Sequence, residues 1–459
     1  FCCLGGDVLR RKSRNRRFAV AMLIIGMVFG VVFPWGAAGG GAEAAAGVAL
    51  RSDGADAPGE WVIGLSEAVQ GETERERLAV DLVAHGIVLL DADERMWLVR
   101  GGGQQIHRLQ SAYPDLMIQP NLTYELRVDD VEPFRMTAIG VDRLAGLQWG
   151  LDAIRATKAW ELLLGRELKE VVVAVVDSGV DLSHPDLVEQ IAVELGYNAF
   201  DREAPPEDDN GHGTHVAGVI AATVGNGEGV RGVAGFPAVK IMPVKVMDEK
   251  GKGSTYEIAR GIDYAVDQGA DVINLSIGGP DEDPFIRESV KRAVRKGIPV
   301  VVAAGNDGQP AKNSTPANVP EALTVGAMKR DRQWLPESNY GPEVDLAAPG
   351  EQILSTYRQD VIDYAYMTGT SAAAPFVSGV VALMKAIKPD LSVDAVRLYL
   401  TGHAERLGTV DEKGRNDRFG YGLVRADQAL AALLQHVDSG AALPGTSPEP
   451  GTPGSSYGA

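Results

Sequence analysis

The chain has 459 residues, of which 45% are hydrophobic and 23% are charged. This globular composition excludes a largely disordered chain, and the length favours two folded units with tails. Residues 1–17 carry a net charge of +5, which leaves −23 on residues 18–459 within the total of −18; so acidic a surface repels phosphate and excludes nucleic acid as a partner.

The first 46 residues have the pattern of a signal peptide. A basic stretch precedes an apolar run over residues 18–33, and Ala42-Glu43-Ala44 behind it matches the small-residue cleavage pattern. The segment therefore predicts a secreted protein. The alternative is an uncleaved anchor at the cell surface, formed by residues 18–38, because that longer run approaches spanning length. Both cysteines lie within the first three residues, so the rest of the chain has neither a disulfide nor a thiol nucleophile.

A small α+β unit is predicted over residues 60–126, between a linker at 47–59 and a second linker at 127–147. Short apolar runs typical of strands alternate there with segments of helical spacing. The predicted order is strand, helix, strand, strand, helix, strand, at residues 61–65, 74–85, 87–90, 96–99, 105–113 and 117–126. This order predicts a ferredoxin-like sandwich, which by itself indicates no chemistry.

Residues 148–434 form a larger unit of alternating strands and helices. The strand candidates are short, β-branched and almost continuously apolar, at residues 171–176, 239–246, 271–275, 299–303 and 323–325. The main helices between them are predicted at residues 215–222, 255–268, 284–296, 372–387 and 393–400. The pattern predicts an α/β domain, a three-layer sandwich around a mostly parallel sheet. Residues 435–459 are predicted to be a disordered tail, which is rich in Gly, Pro and Ser from residue 440.

Asp177 directly follows the strand candidate at residues 171–176. Binding sites in such sheets lie at the carboxyl ends of the strands, so this is the position of a site residue. Read alone, Asp177 is better explained as an ordinary turn residue that ends a strand.

His212 opens a helix whose inward residues are small, which lets that helix pack close to the sheet. His215, three residues later, raises the alternative that the two histidines bind a metal. The glutamate of the H-E-x-x-H zinc motif is missing and no third ligand is evident. We therefore expect a structural, hydrogen-bonded role for His215.

Ser371 and Asn306 are candidates for acyl-transfer chemistry. Ser371 stands at the start of a long apolar helix, where the helix dipole favours a developing anion. A serine hydroxyl is a nucleophile only with a base in hydrogen-bond reach, and otherwise Ser371 is an N-cap. Asn306 ends a strand with an amide that could donate to a tetrahedral oxyanion, although Asn-Asp-Gly is also a common turn sequence.

Together and in chain order, these segments resemble the subtilisin family of serine proteases. The motifs are Asp177-Ser178-Gly179, His212-Gly213-Thr214-His215, Ala303-Ala304-Gly305-Asn306 and Gly369-Thr370-Ser371-Ala372-Ala373-Ala374-Pro375. The resemblance covers residues 148–434. It implies a serine endopeptidase in which Ser371 attacks the scissile carbonyl, His212 acts as general base and acid, and Asp177 orients His212. Asn306 and the Ser371 N–H would hold the oxyanion.

The same resemblance implies how the chain is made and what it binds. Residues 60–126 resemble the family's inhibitory propeptide, which occupies the active site until it is cleaved off autocatalytically. The expected partners are protein and peptide substrates and the chain's own propeptide, and the mature enzyme is expected to be a monomer. Rival readings are a catalytically inactive binding member and a serine-carboxyl peptidase, which is disfavoured because that class has Glu where this chain has His212.

The resemblance also implies a substrate-binding cleft. One wall of this cleft is expected to pair with extended substrate backbone. This wall and the S1 pocket, with its base, would be formed by Ser276, Ile277, Gly278, Ala303, Ala304, Gly305 and Ser314. Such small walls imply room for a large apolar side chain on the residue whose carbonyl is attacked, the P1 residue.

One structural calcium site is implied by the resemblance. Asp186 matches the family's calcium carboxylate, and the loop at residues 224–230 resembles its partner loop, with Asn226 supplying a side-chain oxygen. Oxygen ligands suit a hard cation such as calcium. The same region, residues 227–232, also fits G-x-G-x-x-G, but it follows a helix instead of a strand, which excludes the dinucleotide reading.

Overall fold

The computed structural model describes residues 58–66, 69, 71–127, 131–134, 142–279 and 281–441. The predicted signal peptide, most of the linker that follows it and the end of the predicted tail lie outside these residues. The predicted boundaries at 46 and 47 are therefore not addressed by the fold.

The small unit is a four-stranded antiparallel sheet with two helices. Its elements are β1 (Gly59–Gly64), α1 (Glu72–Ala84), β2 (Val88–Ala92), β3 (Met96–Gly101), α2 (Gly103–Ala112) and β4 (Met117–Pro120). The strand order is β2-β3-β1-β4, and every neighbouring pair is antiparallel. This confirms the predicted ferredoxin-like sandwich.

The predicted last strand of this unit, residues 117–126, is divided in two. After β4, the Asn121 N–H donates to the Glu60 carbonyl at 3.0 Å, where pairing with β1 ends. The chain then forms β5 (Thr123–Glu125), which leaves the small sheet and pairs with the larger unit. The reason is that β5 finds its hydrogen-bond partners on another strand, β10 (Lys252–Ser254), more than 120 residues away in the sequence.

The larger unit is built around a seven-stranded sheet. The strands of this sheet are β7 (Val171–Asp177), β8 (Tyr197–Asn198), β9 (Val239–Lys245), β11 (Val272–Leu275), β12 (Val300–Ala303), β13 (Leu323–Met328) and β14 (Leu346–Pro349). Two further strands, β15 (Ile353–Thr356) and β16 (Tyr364–Met367), belong to a separate sheet. The helices of the larger unit are α3 (Trp149–Ala153), α4 (Ala156–Leu163), α5 (His212–Ala221), α6 (Thr255–Asp267), α7 (Pro284–Arg295), α8 (Thr370–Ile387), α9 (Val393–Gly402) and α10 (Ala426–Ser439). The order β14-β13-β12-β11-β7-β9-β8 is parallel throughout.

The two faces of this sheet are buried by different helices. Side chains alternate along a strand, so Val173 and Val175 of β7 face a core that contains α5 and α8. Ala174 and Val176 face the opposite core, which contains α6 and α7. The predicted three-layer α/β domain is thus confirmed. Helix α8 is long and apolar enough to cross a membrane, but 94% of that segment is buried inside the domain.

Two predicted irregular regions contain regular structure. In the range predicted as the second linker, residues 127–147, β6 (Val131–Phe134) pairs antiparallel with β16. Helix α10 runs through Ser439, so five residues of the predicted tail are helical. Its buried residues, Leu430, Leu433 and Leu434 among them, lie in the main core and hold the helix there.

The sheet has a topological switch between β7 and β11. The chain continues from β7 to one side of the sheet and from β11 to the other side. The loops that follow these two strands therefore diverge and leave a crevice at the carboxyl ends of the strands. Asp177 ends β7, while Ser276 follows β11 and Asn306 lies three residues beyond β12. The fold therefore brings the predicted site residues to one edge.

Candidate active site

Asp177 and His212 form a buried hydrogen bond in this crevice. The Asp177 Oδ1 lies 2.7 Å from the His212 Nδ1, and the two residues are 0% and 2% exposed. The same oxygen accepts the Ser178 N–H at 2.7 Å. With Nδ1 as the donor, the neutral imidazole has its Nε2 free to accept a proton.

The start of α5 lies close to the end of β7 because Gly213 has no side chain. A Cβ there would lie 2.1 Å from the Gly179 carbonyl oxygen. The Gly213 N–H instead donates to the Ser178 Oγ at 2.9 Å. This close approach delivers His212 to Asp177.

Asp208, which the sequence analysis did not single out, fixes the same helix start. Its carboxylate accepts from the N–H groups of Gly211 and Thr214, at 2.8 and 2.9 Å, and from the Ser178 hydroxyl at 2.9 Å. An acidic residue just before a helix is a capping signal that could have indicated it. Asp208 therefore ties β7 to α5 beneath His212.

Ser371 lies in the first turn of α8, with its hydroxyl on a neighbouring carbonyl. The Ser371 Oγ donates to the Ser276 carbonyl at 3.1 Å, and the Ser276 Oγ donates to the Ser371 carbonyl at 3.0 Å. The His212 Nε2 is buried without a hydrogen-bond partner among the described residues. In this arrangement Ser371 and His212 are not hydrogen bonded, and rotation about the Ser371 Cα–Cβ bond redirects the hydroxyl.

Asn306 holds its amide in one orientation. Its Oδ1 accepts both the N–H and the hydroxyl of Thr370, each at 2.8 Å. Its Nδ2 is thereby directed outward and donates to the main-chain carbonyl of Arg127 at 2.8 Å. Gly369 makes room for this amide, because a Cβ there would lie 2.7 Å from the Asn306 Nδ2. The donor predicted for an oxyanion thus contacts a peptide carbonyl of the same chain.

The segment that leads to Arg127 is bound as a strand. Tyr124 of β5 lies opposite Gly253 of β10, and the Leu126 N–H donates to the Gly251 carbonyl at 2.8 Å. Tyr124 is 1% exposed, and its hydroxyl donates to the Asp283 carboxylate at 2.9 Å. Strand β10 was not predicted, since the short polar sequence Lys252-Gly253-Ser254 gives no strand signal.

The structure brings together part of the predicted cleft. A Cβ on Gly278 would lie 3.4 Å from the Ser314 Oγ and 3.9 Å from the Gly305 Cα, so these three residues border a common space. Ala303 and Ala304 are buried at the end of β12.

The pairing of residues 276–278 with extended substrate backbone stays a prediction, because the structure shows the partner of the Arg127 segment on its other side only. That partner is β10. Ser276 is 1% exposed and tied to Ser371, and Ile277 is also 1% exposed, within the core that covers α6 and α7.

His215 has the structural environment that the sequence analysis expected. It is fully buried, and its Nε2 lies 2.8 Å from the Ile353 carbonyl oxygen, which requires that nitrogen to carry the proton. Burial lowers the pKa of His215 to about 3, so the ring is neutral. In the part of the chain that the structure describes, no group of three or more His, Cys, Asp or Glu side chains could hold a metal.

Asp186 and Asn226 lie together but do not present oxygens to a common point. The Asn226 Nδ2 donates to the Asp186 Oδ1 at 2.8 Å, and the Asn226 Oδ1 accepts the Glu228 N–H at 2.9 Å. The Val230 N–H donates to the other Asp186 oxygen at 2.8 Å. Burial raises the pKa of Asp186, a carboxylate that would gain from a cation. As arranged, the amide presents its nitrogen to Asp186, so coordination of the predicted calcium by both residues would require the Asn226 amide to turn over.

Comparison with known proteins places this geometry in context. A family model described as "Subtilase family" matches residues 168–422, which is more than half of the chain. Thermitase from Thermoactinomyces vulgaris is 39% identical over 271 residues, which cover 58% of this chain and 93% of thermitase. The major intracellular serine protease of Bacillus subtilis is 44% identical over 248 residues, 52% of this chain and 76% of that protein. The minor extracellular protease Epr of the same organism is 34% identical over 331 residues, 71% of this chain and 49% of that protein.

Proposed function

The chain belongs to the subtilase family and is a subtilisin-like serine endopeptidase, and on that basis we propose that Ser371 is its nucleophile. His212 acts as general base and acid, Asp177 orients His212, and Asn306 stabilises the oxyanion. The observation that carries this proposal is the Asn306 Nδ2 donating to the Arg127 carbonyl at 2.8 Å, because a peptide carbonyl is there engaged by the donor that the chemistry needs.

These residues would hydrolyse a peptide bond in two steps. The Ser371 Oγ adds to the carbonyl carbon while its proton passes to the His212 Nε2, and the C–N bond breaks as that proton moves to the leaving amine. Water, activated by the same imidazole, then hydrolyses the acyl ester. The 2.7 Å bond to Asp177 supports this role, because it keeps Nδ1 protonated and stabilises the imidazolium that forms. An amide donor such as Asn306 contributes roughly 2.7–4 kcal/mol to the transition state in such sites.

We also propose that the chain cleaves itself between Arg127 and Val128, and that residues 60–126 are its inhibitory propeptide. The Ser371 ester would form on the Arg127 carbonyl carbon, and the amine of Val128 would leave with the proton from His212. The pairing of β5 with β10 and the buried Tyr124 support this, since both hold the chain before Arg127 in the cleft. N-terminal sequencing of the processed protein tests the site: Val128 as the first residue supports it, and any other first cut rules it out.

Two observations bear on the P1 residue, and they support different side chains. The small side chains around Gly278, Gly305 and Ser314 support the expected large apolar residue. The proposed self-cleavage site has Arg127 in that place, and its guanidinium pairs with Asp307. We therefore propose that arginine is accepted as well, because the Asp307 carboxylate compensates its charge.

The remaining expectations also stay proposals. The basic and apolar pattern of residues 1–46 and the extracellular relative support secretion, while an intracellular relative is also similar. The size of the mature protein in culture medium, compared with the membrane fraction, distinguishes secretion from an anchor at residues 18–38. Calcium at Asp186 and Asn226 is supported by the family resemblance and tested by chelation below. A monomeric mature enzyme is tested by its mass in solution.

Replacement of the nucleophile tests the central proposal. Ser371→Ala should abolish peptidase activity and leave an uncut precursor, because both need the same hydroxyl. Ser378→Ala, a buried serine of the same helix that hydrogen bonds to Asn274, is the control and should still be processed. A fluorophosphonate label should modify the mature wild type at Ser371. Failure of that label would favour an inactive binding protein, and self-processing of pure Ser371→Ala would exclude Ser371.

A further inference from the structure

The chain beyond Arg127 is also bound as a strand, on the other side of the proposed scissile bond. Residues of β6 pair with β16 in antiparallel register, with Val131 opposite Met367 and Phe134 opposite Tyr364. Strand β6 thereby becomes the third strand of the sheet β15-β16-β6. The described parts of this stretch, residues 123–127 and 131–134, therefore meet the catalytic unit at β10 before the proposed bond and at β16 after it.

The hydrogen-bonding edge of β16 that β6 uses can be identified. The Tyr357 N–H donates to the Asp363 carbonyl at 2.8 Å, on the side of β15. Main-chain groups alternate between the two sides of a strand, so residues 365 and 367 face β15, and Tyr364 and Tyr366 face β6. Pro133 lies opposite Ala365, which agrees with this alternation, because proline has no N–H to donate.

This edge is a direct extension of the catalytic site. Only three residues separate Met367, the last residue of β16, from Ser371. Likewise, Val131 is the fourth residue after Arg127, and four residues of extended chain span at most roughly 13–14 Å. When the carbonyl of the cleaved bond accepts from the Asn306 amide, the fourth residue after that bond can therefore reach β16.

Resting on the proposed function, we propose that the edge of β16 that β6 occupies is a binding strand for the leaving-group side of the substrate. It takes the fourth to seventh residues after the cleaved bond through their main chain, and its occupant in the precursor is the chain's own Val131–Phe134. A strand added to a sheet edge is held by main-chain hydrogen bonds, so the site accepts varied side chains. Held on both sides, the scissile bond loses little further freedom on reaching the transition state.

The register provides a test with neighbouring substitutions in the precursor. Glu132 lies opposite Tyr366, on the edge that faces β16, so Glu132→Pro removes a main-chain donor there. It should slow the first-order cleavage after Arg127 about tenfold, which is what the loss of one or two ladder hydrogen bonds gives. Two controls keep the ladder intact: Glu132→Gln retains the N–H, and Pro133→Ala adds an N–H that points away from β16. Both should cleave within about twofold of wild type, which is less than the effect of one such hydrogen bond.

A second measurement reports edge occupancy without cleavage. In the Ser371→Ala precursor, the amides of Tyr364 and Tyr366 should be protected from hydrogen exchange, and Glu132→Pro should expose them while Pro133→Ala does not. Equal cleavage rates for Glu132→Pro and wild type, with the cut still after Arg127, would overturn the binding strand and leave the proposed function standing. Equal hydrogen exchange of the Tyr364 and Tyr366 amides in Glu132→Pro and Pro133→Ala would overturn the binding strand as well. No cleavage in wild type would count against the proposed function itself.

Discussion

Asn306 can donate outward because Thr370 occupies its oxygen with two hydrogen bonds. Asn306→Leu removes the outward donor and leaves Asp177, His212 and Ser371 in place. We expect kcat to fall by roughly 10²–10³ with little change in KM, because the lost interaction is stronger in the transition state than with bound substrate. Steady-state kinetics on a chromogenic peptide measures both constants.

Thr370→Val is the matched control for Asn306. It removes one of the two hydrogen bonds to the Asn306 oxygen and the acceptor of the Gly305 N–H, and keeps the main-chain N–H that bonds to Asn306. Its loss of kcat should be smaller than that of Asn306→Leu, since the amide keeps one restraint. A raised KM with unchanged kcat for Asn306→Leu would contradict the oxyanion role.

His215 gives the native state a definite pH dependence. Its pKa is lowered from 6.5 to about 3 by burial, so the unfolded chain binds a proton between these values and the native protein does not. The stability of the protein should therefore fall by about 1.4 kcal/mol per pH unit as pH decreases through this window, from this residue alone. Urea unfolding at pH 7, 5.5 and 4.5 in the Ser371→Ala background, which prevents autolysis, measures it.

The comparison for that prediction is His215→Gln in the same background. Glutamine is neutral at every pH and can still donate to the Ile353 carbonyl. The slope of its unfolding free energy against pH should be smaller by about 1.4 kcal/mol per pH unit, which is the contribution of one bound proton. The same slope in both proteins would mean that other groups govern acid unfolding.

At the scale of elements, the loop at residues 224–230 is held by carboxylates that accept its N–H groups. Asp142, 2% exposed, accepts from Gly225 at 2.9 Å, from Gly227 at 3.2 Å and from the Arg231 Nε at 2.5 Å. Asp186 accepts from Val230 on the other side. Glycine-rich backbone loses much conformational entropy when ordered, so the loop depends on such partners.

Chelation tests whether calcium adds to these partners. We expect a chelator to shorten the half-life of the mature enzyme at raised temperature before it lowers initial activity, because local opening exposes the loop to autolysis. Asp186→Ala should shorten the half-life and make the enzyme indifferent to chelator. Asp142→Asn weakens the loop without removing the predicted ligands, so it should remain sensitive. Equal wild-type half-lives with and without chelator would show that hydrogen bonds alone hold the loop.

At the scale of the whole molecule, the small unit is packed onto α6 and α7. Val62 and Met96 of its sheet share a buried core with Tyr256 and Phe285. The end of β2 and the turn after it add charged contacts to α6, where Arg260 bonds to Asp91 of β2 at 2.6 Å and to Asp93 of the turn at 3.1 Å. These contacts surround the segment that enters the cleft with Tyr124.

On the proposal that residues 60–126 are an inhibitory propeptide, Tyr124 should govern how long that propeptide stays bound after cleavage. Its ring fills the space beside Gly279, where a Cβ would lie 2.0 Å from the ring. Tyr124→Ala loses the burial of that ring, so the propeptide should dissociate roughly ten- to a hundredfold more readily. The lag between processing on a gel and the appearance of peptidase activity should then shorten. Val88→Ala, at an exposed position of β2, should leave the lag unchanged. An unchanged lag for Tyr124→Ala would contradict this anchoring role.

The sequence by itself determined the strand end and the two helix starts that carry the site residues. Asp177 follows an uninterrupted apolar run, while His212 and Ser371 begin helices marked by small and apolar residues, and such local patterns reflect burial directly. The periodicity in residues 60–126 likewise determined the strand and helix order of the small unit. These features depend on residues that are neighbours in the chain.

Only the tertiary structure decided which distant segments meet. Arg127 and Asn306 are 179 residues apart in the sequence, and β6 and β16 are more than 220 residues apart. The sequences of β6 and β16 contain no pattern that indicates their pairing. The orientation of the Asn226 amide and the role of Asp208 likewise follow from neighbours that fold into place. The physical reason is that a main-chain hydrogen bond is the same for every sequence, so the choice of partner is made by the packing of the whole domain.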